Sequence, residues 1–121
     1  MRALLNKDIT NFLKRFGKFV DAEIRSIDII SATFVKLIIA CQDKARAFDW
    51  ITIELEFKDV SDAKLIDNSK LSLLDMSNGI SLLKKENKFY FAIDNYTSIS
   101  SIKNSILYVC SSNLKYKENK F

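Results

Sequence analysis

From Trp50 to Lys58 the chain alternates without a fault: Ile51, Ile53, Leu55 and Phe57 fall on one side, Trp50, Thr52, Glu54, Glu56 and Lys58 on the other. A period of two throws successive side chains to opposite faces of a pleated strand, so this segment is a strand with one dry face and one wet one. The same period governs most of the chain after Phe19. Around residues 20–30, Val20, Ala22 and Ile24 share a side, and Ile27 and Ile29 resume the alternation one step out of phase, which predicts a one-residue bulge near Ser26. Residues 34–41 turn Val35, Leu37, Ile39 and Cys41 inward and leave Phe34, Lys36, Ile38 and Ala40 opposite, the pattern of a central strand covered on both faces.

Before Phe19 the period is that of a helix. Leu5, Ile9, Phe12, Leu13 and Phe16 make one apolar stripe, with Lys7, Asn11, Lys14, Arg15 and Lys18 largely off it. Asn6 is the expected N-cap and Gly17 the expected left-handed residue beyond the end, with Lys14 and Arg15 complementing the helix dipole. In the second half, 63–66 reads as a short strand. Residues 69–76 are either a helical turn begun by Ser69 and stopped by Asn78 and Gly79 or, the favoured reading, irregular chain carrying Leu71, Leu73 and Leu74 into the core. Segments 79–83 and 88–93 form a hairpin across Lys84–Asn87, followed by a polar link over 94–105 and a last strand from Ile106. Residues 115–121 are polar enough to fray. Short strands joined by tight links favour antiparallel neighbours. The expected architecture is α+β: a single domain, residues 1–121, with an N-terminal amphipathic helix packed on a curved, mainly antiparallel sheet of about five to seven strands.

Several chemistries are poorly served by this composition. The chain has no histidine, and its two cysteines, Cys41 and Cys110, stand far apart inside apolar runs, where they read as buried thiols of a reducing compartment. No phosphate-cradling loop, nucleophile elbow or metal-ligand spacing occurs, so no cofactor or metal is implied; Asp94, Tyr96 and Lys103 are the one loop constellation that could meet in space. The longest uninterrupted apolar run, Leu37 to Cys41, is too short to cross a bilayer, and polar residues after Leu5 interrupt any leader core, which gives a cytoplasmic expectation with no membrane partner. The chain reads as one that binds rather than one that catalyses.

Charge narrows the partner. Residues 1–20 carry net +4 and residues 103–121 net +3, whereas residues 43–67 carry net −3. On the wet face of the Trp50 strand, Glu54 and Glu56 flank the tryptophan, with Asp59 and Asp62 at the strand exit. An aromatic among carboxylates on a rigid strand suits a basic protein surface. The competing reading of Glu54 and Glu56 is a solubilising face with Trp50 tucked under a loop. The succession of an N-terminal helix, "FVKLIIAC", an acidic turn, "WITIELEFKDV" and "GISLLKKENKFYFAID" resembles, in layout, the small bacterial α+β immunity proteins of polymorphic and contact-dependent toxin systems. That resemblance implies a non-catalytic inhibitor that docks on and blocks a cognate protein toxin; it transfers no residue roles. Inhibitors of nucleases are often acidic overall, whereas this chain is net +4. The alternative is a small nucleic-acid-binding protein using the helix cations (Lys7, Lys14, Arg15, Lys18) and the C-terminal lysines (Lys115, Lys117, Lys120). A homodimer is a further option if Phe34, Ile38 and Ala40 form an uncovered apolar row.

Overall fold

The computed structural model describes all 121 residues. Seven strands, every pair antiparallel, make one open sheet: β1 (Arg2–Ala3), β2 (Glu23–Ser31), β3 (Phe34–Asp43), β4 (Asp49–Lys64), β5 (Ile80–Lys85), β6 (Lys88–Ile93) and β7 (Tyr108–Lys120). Their order is β2-β3-β4-β7-β6-β5, with β1 joined to β7 at Arg2↔Tyr116 and Ala3↔Lys115. Helix α1 (Ile9–Arg15) extends a 3-10 turn, Asn6–Asp8, and a short α2 (Ile99–Ile102) lies in the link after β6. The expected α+β architecture is the one seen.

The apolar stripe of α1 holds from Ile9 on, with Leu13 half-buried, but Leu5 lies ahead of the helix and is 48% exposed while Leu4 enters the core in its place. Ile9, Phe12 and Phe16 are buried, and Phe12 meets Tyr116 of β7 at 4.9 Å between ring centroids. Tyr116 pairs in register with Leu55, so α1 lies on the Ile51–Phe57 side of the sheet. Those four β4 side chains are buried beneath it with Leu37, Ile39, Phe91 and Val109 in one core. Gly17 has φ +59°, as a helix-ending residue should. Asn6 is not the cap. It lies inside the 3-10 turn, and the Asp8 carboxylate accepts a hydrogen bond from the Leu5 N–H at 3.3 Å.

Long strands β4 and β7 form the spine. β3 pairs with β4 only up to Lys58, and β6 pairs with β7 only from Tyr108 to Ser111, so the two strands tie a β2-β3 half to a β5-β6 half. Between the halves each strand exposes two consecutive residues, Lys58–Asp59 and Ser112–Asn113; beyond them Val60 of β4 is half-buried against the core and Leu114 of β7 is buried in it, each one step out of phase with the strand's other core positions. Residues 63 and 64 belong to β4 rather than to a separate strand, and 68–73 wind into a 3-10 turn with Leu71 buried; Leu74 is half-buried, while Leu73, expected in the core, is 80% exposed. Residues 115–120 do not fray. They pair with β4 from Ile51 to Glu56, and β1 lies on their other side. The link after β6 covers the far face of the β5-β6 half with the fully buried Ile102 of α2.

The bulge in β2 falls at Arg25, between Ile24 and Ser26, as the phase shift predicts. Ile27 is buried as expected, but Val20 and Ile29, at the two ends of the predicted pattern, lie outside the core, 48% and 65% exposed. At the outer edge of β2 the Asn68 side-chain amide accepts from the Ile27 N–H at 2.8 Å and donates to the Ile27 carbonyl at 3.0 Å. Proline is absent and glycine nearly so, and eight non-glycine residues hold positive φ, among them Asp21, Asp59 and Asp94. Short polar side chains tolerate that region best. Gly79 is irreplaceable for another reason: a Cβ there would meet the Lys18 carbonyl oxygen at 2.1 Å.

Candidate functional site

Alternation in β4 turns Trp50, Thr52, Glu54, Glu56 and Lys58 away from α1, onto a face with no helix over it. Register then decides what surrounds them. On the β3 side, Glu54 stands opposite Ile38 and Glu56 opposite Lys36. On the β7 side, Glu54 stands opposite Lys117 and Glu56 opposite Lys115. Directly opposed residues share a face with Cβ atoms roughly 5 Å apart, so Glu56 sits between Lys36 and Lys115, and Glu54 between Ile38 and Lys117. The Lys36 ammonium lies 3.9 Å from Glu54 and 3.8 Å from Glu56. At the upper end Phe34 is flanked by Lys58 and Lys36, at 5.0 and 5.8 Å from its ring centroid. At the lower end Trp50 is 42% exposed and meets the Phe121 ring edge-on at 5.8 Å, while the Arg25 guanidinium lies 4.3 Å over Phe121. A hollow of about 390 Å³ opens beside Trp50, lined by Arg46, Asp49, Glu118, Lys120 and Phe121 among others.

Trp50, Glu54 and Glu56 thus share one surface, as expected from the sequence. Asp59 and Asp62 do not extend it as a free acidic patch. Asp59 adopts φ 56° and accepts from the Asn113 amide at 2.6 Å. Asp62 lies past the register shift at Ser61 and faces a different set of groups. It accepts from the Tyr108 hydroxyl at 3.2 Å and pairs with the Lys103 ammonium at 3.3 Å. Burial, with Asp62 beside it, raises the Tyr108 phenol above its ordinary pKa, and the hydrogen bond to Asp62 raises that of Lys103. Lys103 is therefore committed to Asp62, while Asp94 accepts from Asn78 and the Tyr96 N–H donates to Ser81. The row Phe34, Ile38, Ala40 lies on the face away from α1, yet Ala40 is buried between its register neighbours Glu23 and Thr52, and Phe34 and Ile38 are half-buried.

On the opposite face Arg15 is turned into the protein. Its guanidinium holds Asp43 through two bonds of 2.9 and 2.8 Å and reaches Glu118 at 2.6 Å, and Arg46 and Arg2 close around the same carboxylates. Asp43 is fully buried. Hydrogen bonding to Arg15 holds both carboxyls below the usual carboxylate range. The basic residues proposed for nucleic acid are accordingly dispersed: Arg15 is engaged, α1 lies on one face of the sheet, and Lys115 and Lys117 lie on the other. Cys41 and Cys110 are free and buried, and burial pushes the Cys41 thiol up to about 12.

Sequence reasoning found the strand and its wet face but missed Lys36, Lys115 and Lys117 as partners of the two glutamates. Alternation had already placed Lys36 on the correct face of its strand; only the pairing was missing. No helix is long and apolar enough to cross a membrane. No protein-family model, no curated protein and no solved structure matches this chain.

Proposed function

We propose that the protein is a non-catalytic binding module of the immunity type, docking on a cognate protein toxin through the helix-free face of β3, β4 and β7. The observation that carries this reading is Trp50: a large aromatic, 42% exposed on a rigid central strand and ringed by charged side chains of both signs. An amphipathic anchor inside a polar rim is the usual anatomy of a protein-binding hot spot. The layout shared with small immunity proteins points the same way, as does the engagement of the polar clusters in structural bonds. Residues Asp43, Glu118, Asp62 and Lys103 are each held by a partner, which suits a scaffold better than a reaction centre.

The test is a growth-rescue assay with the neighbouring gene product. Co-expression of this chain should relieve growth arrest caused by the polypeptide encoded beside it, and the two should co-purify. Trp50→Ala should lose at least tenfold in affinity while melting within a few degrees of the parent. Rescue without co-purification, or an unchanged affinity for Trp50→Ala, refutes the docking face.

A further inference from the structure

We infer that the partner surface meeting this face is acidic, the sign opposite to that expected from the acidic run of residues 43–67. The inference rests on the docking reading above and adds the partner's charge. It follows from depth. Glu54 and Glu56 are only 20% and 14% exposed at their side chains, held down beside Lys36, whereas Lys58, Lys115 and Lys117 are exposed along the β4–β7 seam. An approaching surface therefore meets ammonium groups first and carboxylates only beneath them. Number adds to depth: on this face Lys36, Lys58, Lys115 and Lys117 outnumber Glu54, Glu56 and Asp28, which stands opposite Lys36 in register, and an approaching surface feels their sum. Towards the β2 edge Glu23 and Arg25, paired at 3.6 Å, cancel.

An acidic protein fits better than a nucleic acid. Single strands need free aromatic faces for stacking and an unbroken cationic track. Here Phe34 is occupied by two lysines, and two glutamates interrupt the track. A protein surface with spaced carboxylates around an apolar knob meets the lysines singly and fills the hollow beside Trp50.

The experiment needs no knowledge of the partner. Binding of the full chain to immobilised poly-L-glutamate, poly-L-lysine and a twenty-residue oligothymidylate is measured by interferometry at low and moderate salt. The chain should bind poly-L-glutamate over poly-L-lysine. Lys115→Glu with Lys117→Glu should weaken that binding at least tenfold, and the milder Lys115→Gln with Lys117→Gln severalfold, with melting curves showing both pairs folded. Lys7→Glu with Lys14→Glu on α1 should change it less than twofold. Preference for poly-L-lysine overturns the inference, as does equal loss from the α1 pair, which would mean diffuse net charge. Tighter binding of the oligothymidylate overturns it in favour of a nucleic-acid face. A growth-rescue failure bears on the immunity reading alone, so the two failures are distinguishable.

Discussion

Lys117 and Glu118 are neighbours on β7, yet they belong to charge clusters with opposite fates. Glu118 points to the helix side, where Arg15 grips it together with the fully buried Asp43. Lys117 points to the bare side, among Lys36, Glu54 and Glu56, where the Lys36 contacts are 3.8 and 3.9 Å and solvent is close. Both clusters combine carboxylates with cations. They differ in geometry and in the one fully buried member, Asp43. A two-pronged guanidinium bond of 2.8 and 2.9 Å to a buried carboxylate is costly to remove, whereas an ammonium 3.8 and 3.9 Å from two carboxylates makes no short hydrogen bond for its loss to break. The first fastens α1 to the sheet, and the second is free to be rearranged by a partner.

Removing the fastener should show the largest difference. Arg15→Ala takes two bonds from the buried Asp43 and leaves it only Arg46 and the Ala45 N–H, and should destabilise the fold by about 3 kcal/mol, read from urea midpoints. Glu118→Gln keeps the shape but takes away one charged acceptor, and should cost about 1.5–3 kcal/mol in the same measurement. Acid distinguishes the clusters without mutation. Because the folded pKa values of Asp43 and Glu118 are depressed, their stabilisation is present above the ordinary carboxylate value near 4 and is lost as pH falls through the lowered values. The melting temperature of the parent should drop below about pH 4, and Arg15→Ala should lose much of that slope. At the other extreme, Lys36→Ala should change stability by about 1 kcal/mol or less, since its contacts at 3.8 and 3.9 Å are too long to be hydrogen bonds. A Lys36→Ala penalty as large as that of Arg15→Ala would erase the distinction between the two clusters.

How much of this was legible beforehand depended on whether the signal was local. The α1 stripe, the β4 alternation, the Arg25 bulge and the 80–93 hairpin each rest on neighbours in sequence, and each appears close to where the pattern places it. Residues 115–120 misled because Lys, Tyr, Lys, Glu, Asn and Lys carry no apolar alternation; their order comes from hydrogen bonds to β4 and from β1 alongside, both long-range. The polar link after β6 hid Ile102, a single apolar side chain whose burial depends on the sheet beneath it. Arg15 read as a solvated helix cation because its two acceptors lie 28 and 103 residues away. The same limit applied to the candidate site. Trp50, Glu54 and Glu56 could be assigned to one face from spacing, but the lysines that change the meaning of those glutamates arrive through register, which no single strand encodes.

Asn68 has a consequence for the company this molecule keeps. Its amide presents the β2 rim with the donor and acceptor that an incoming strand would offer, so the place is taken before any second chain arrives. A bare rim is how sheets recruit one another into fibrils, and here a single carboxamide acts as a plug. At Ile27 a second copy therefore finds no free pair from which to extend the sheet.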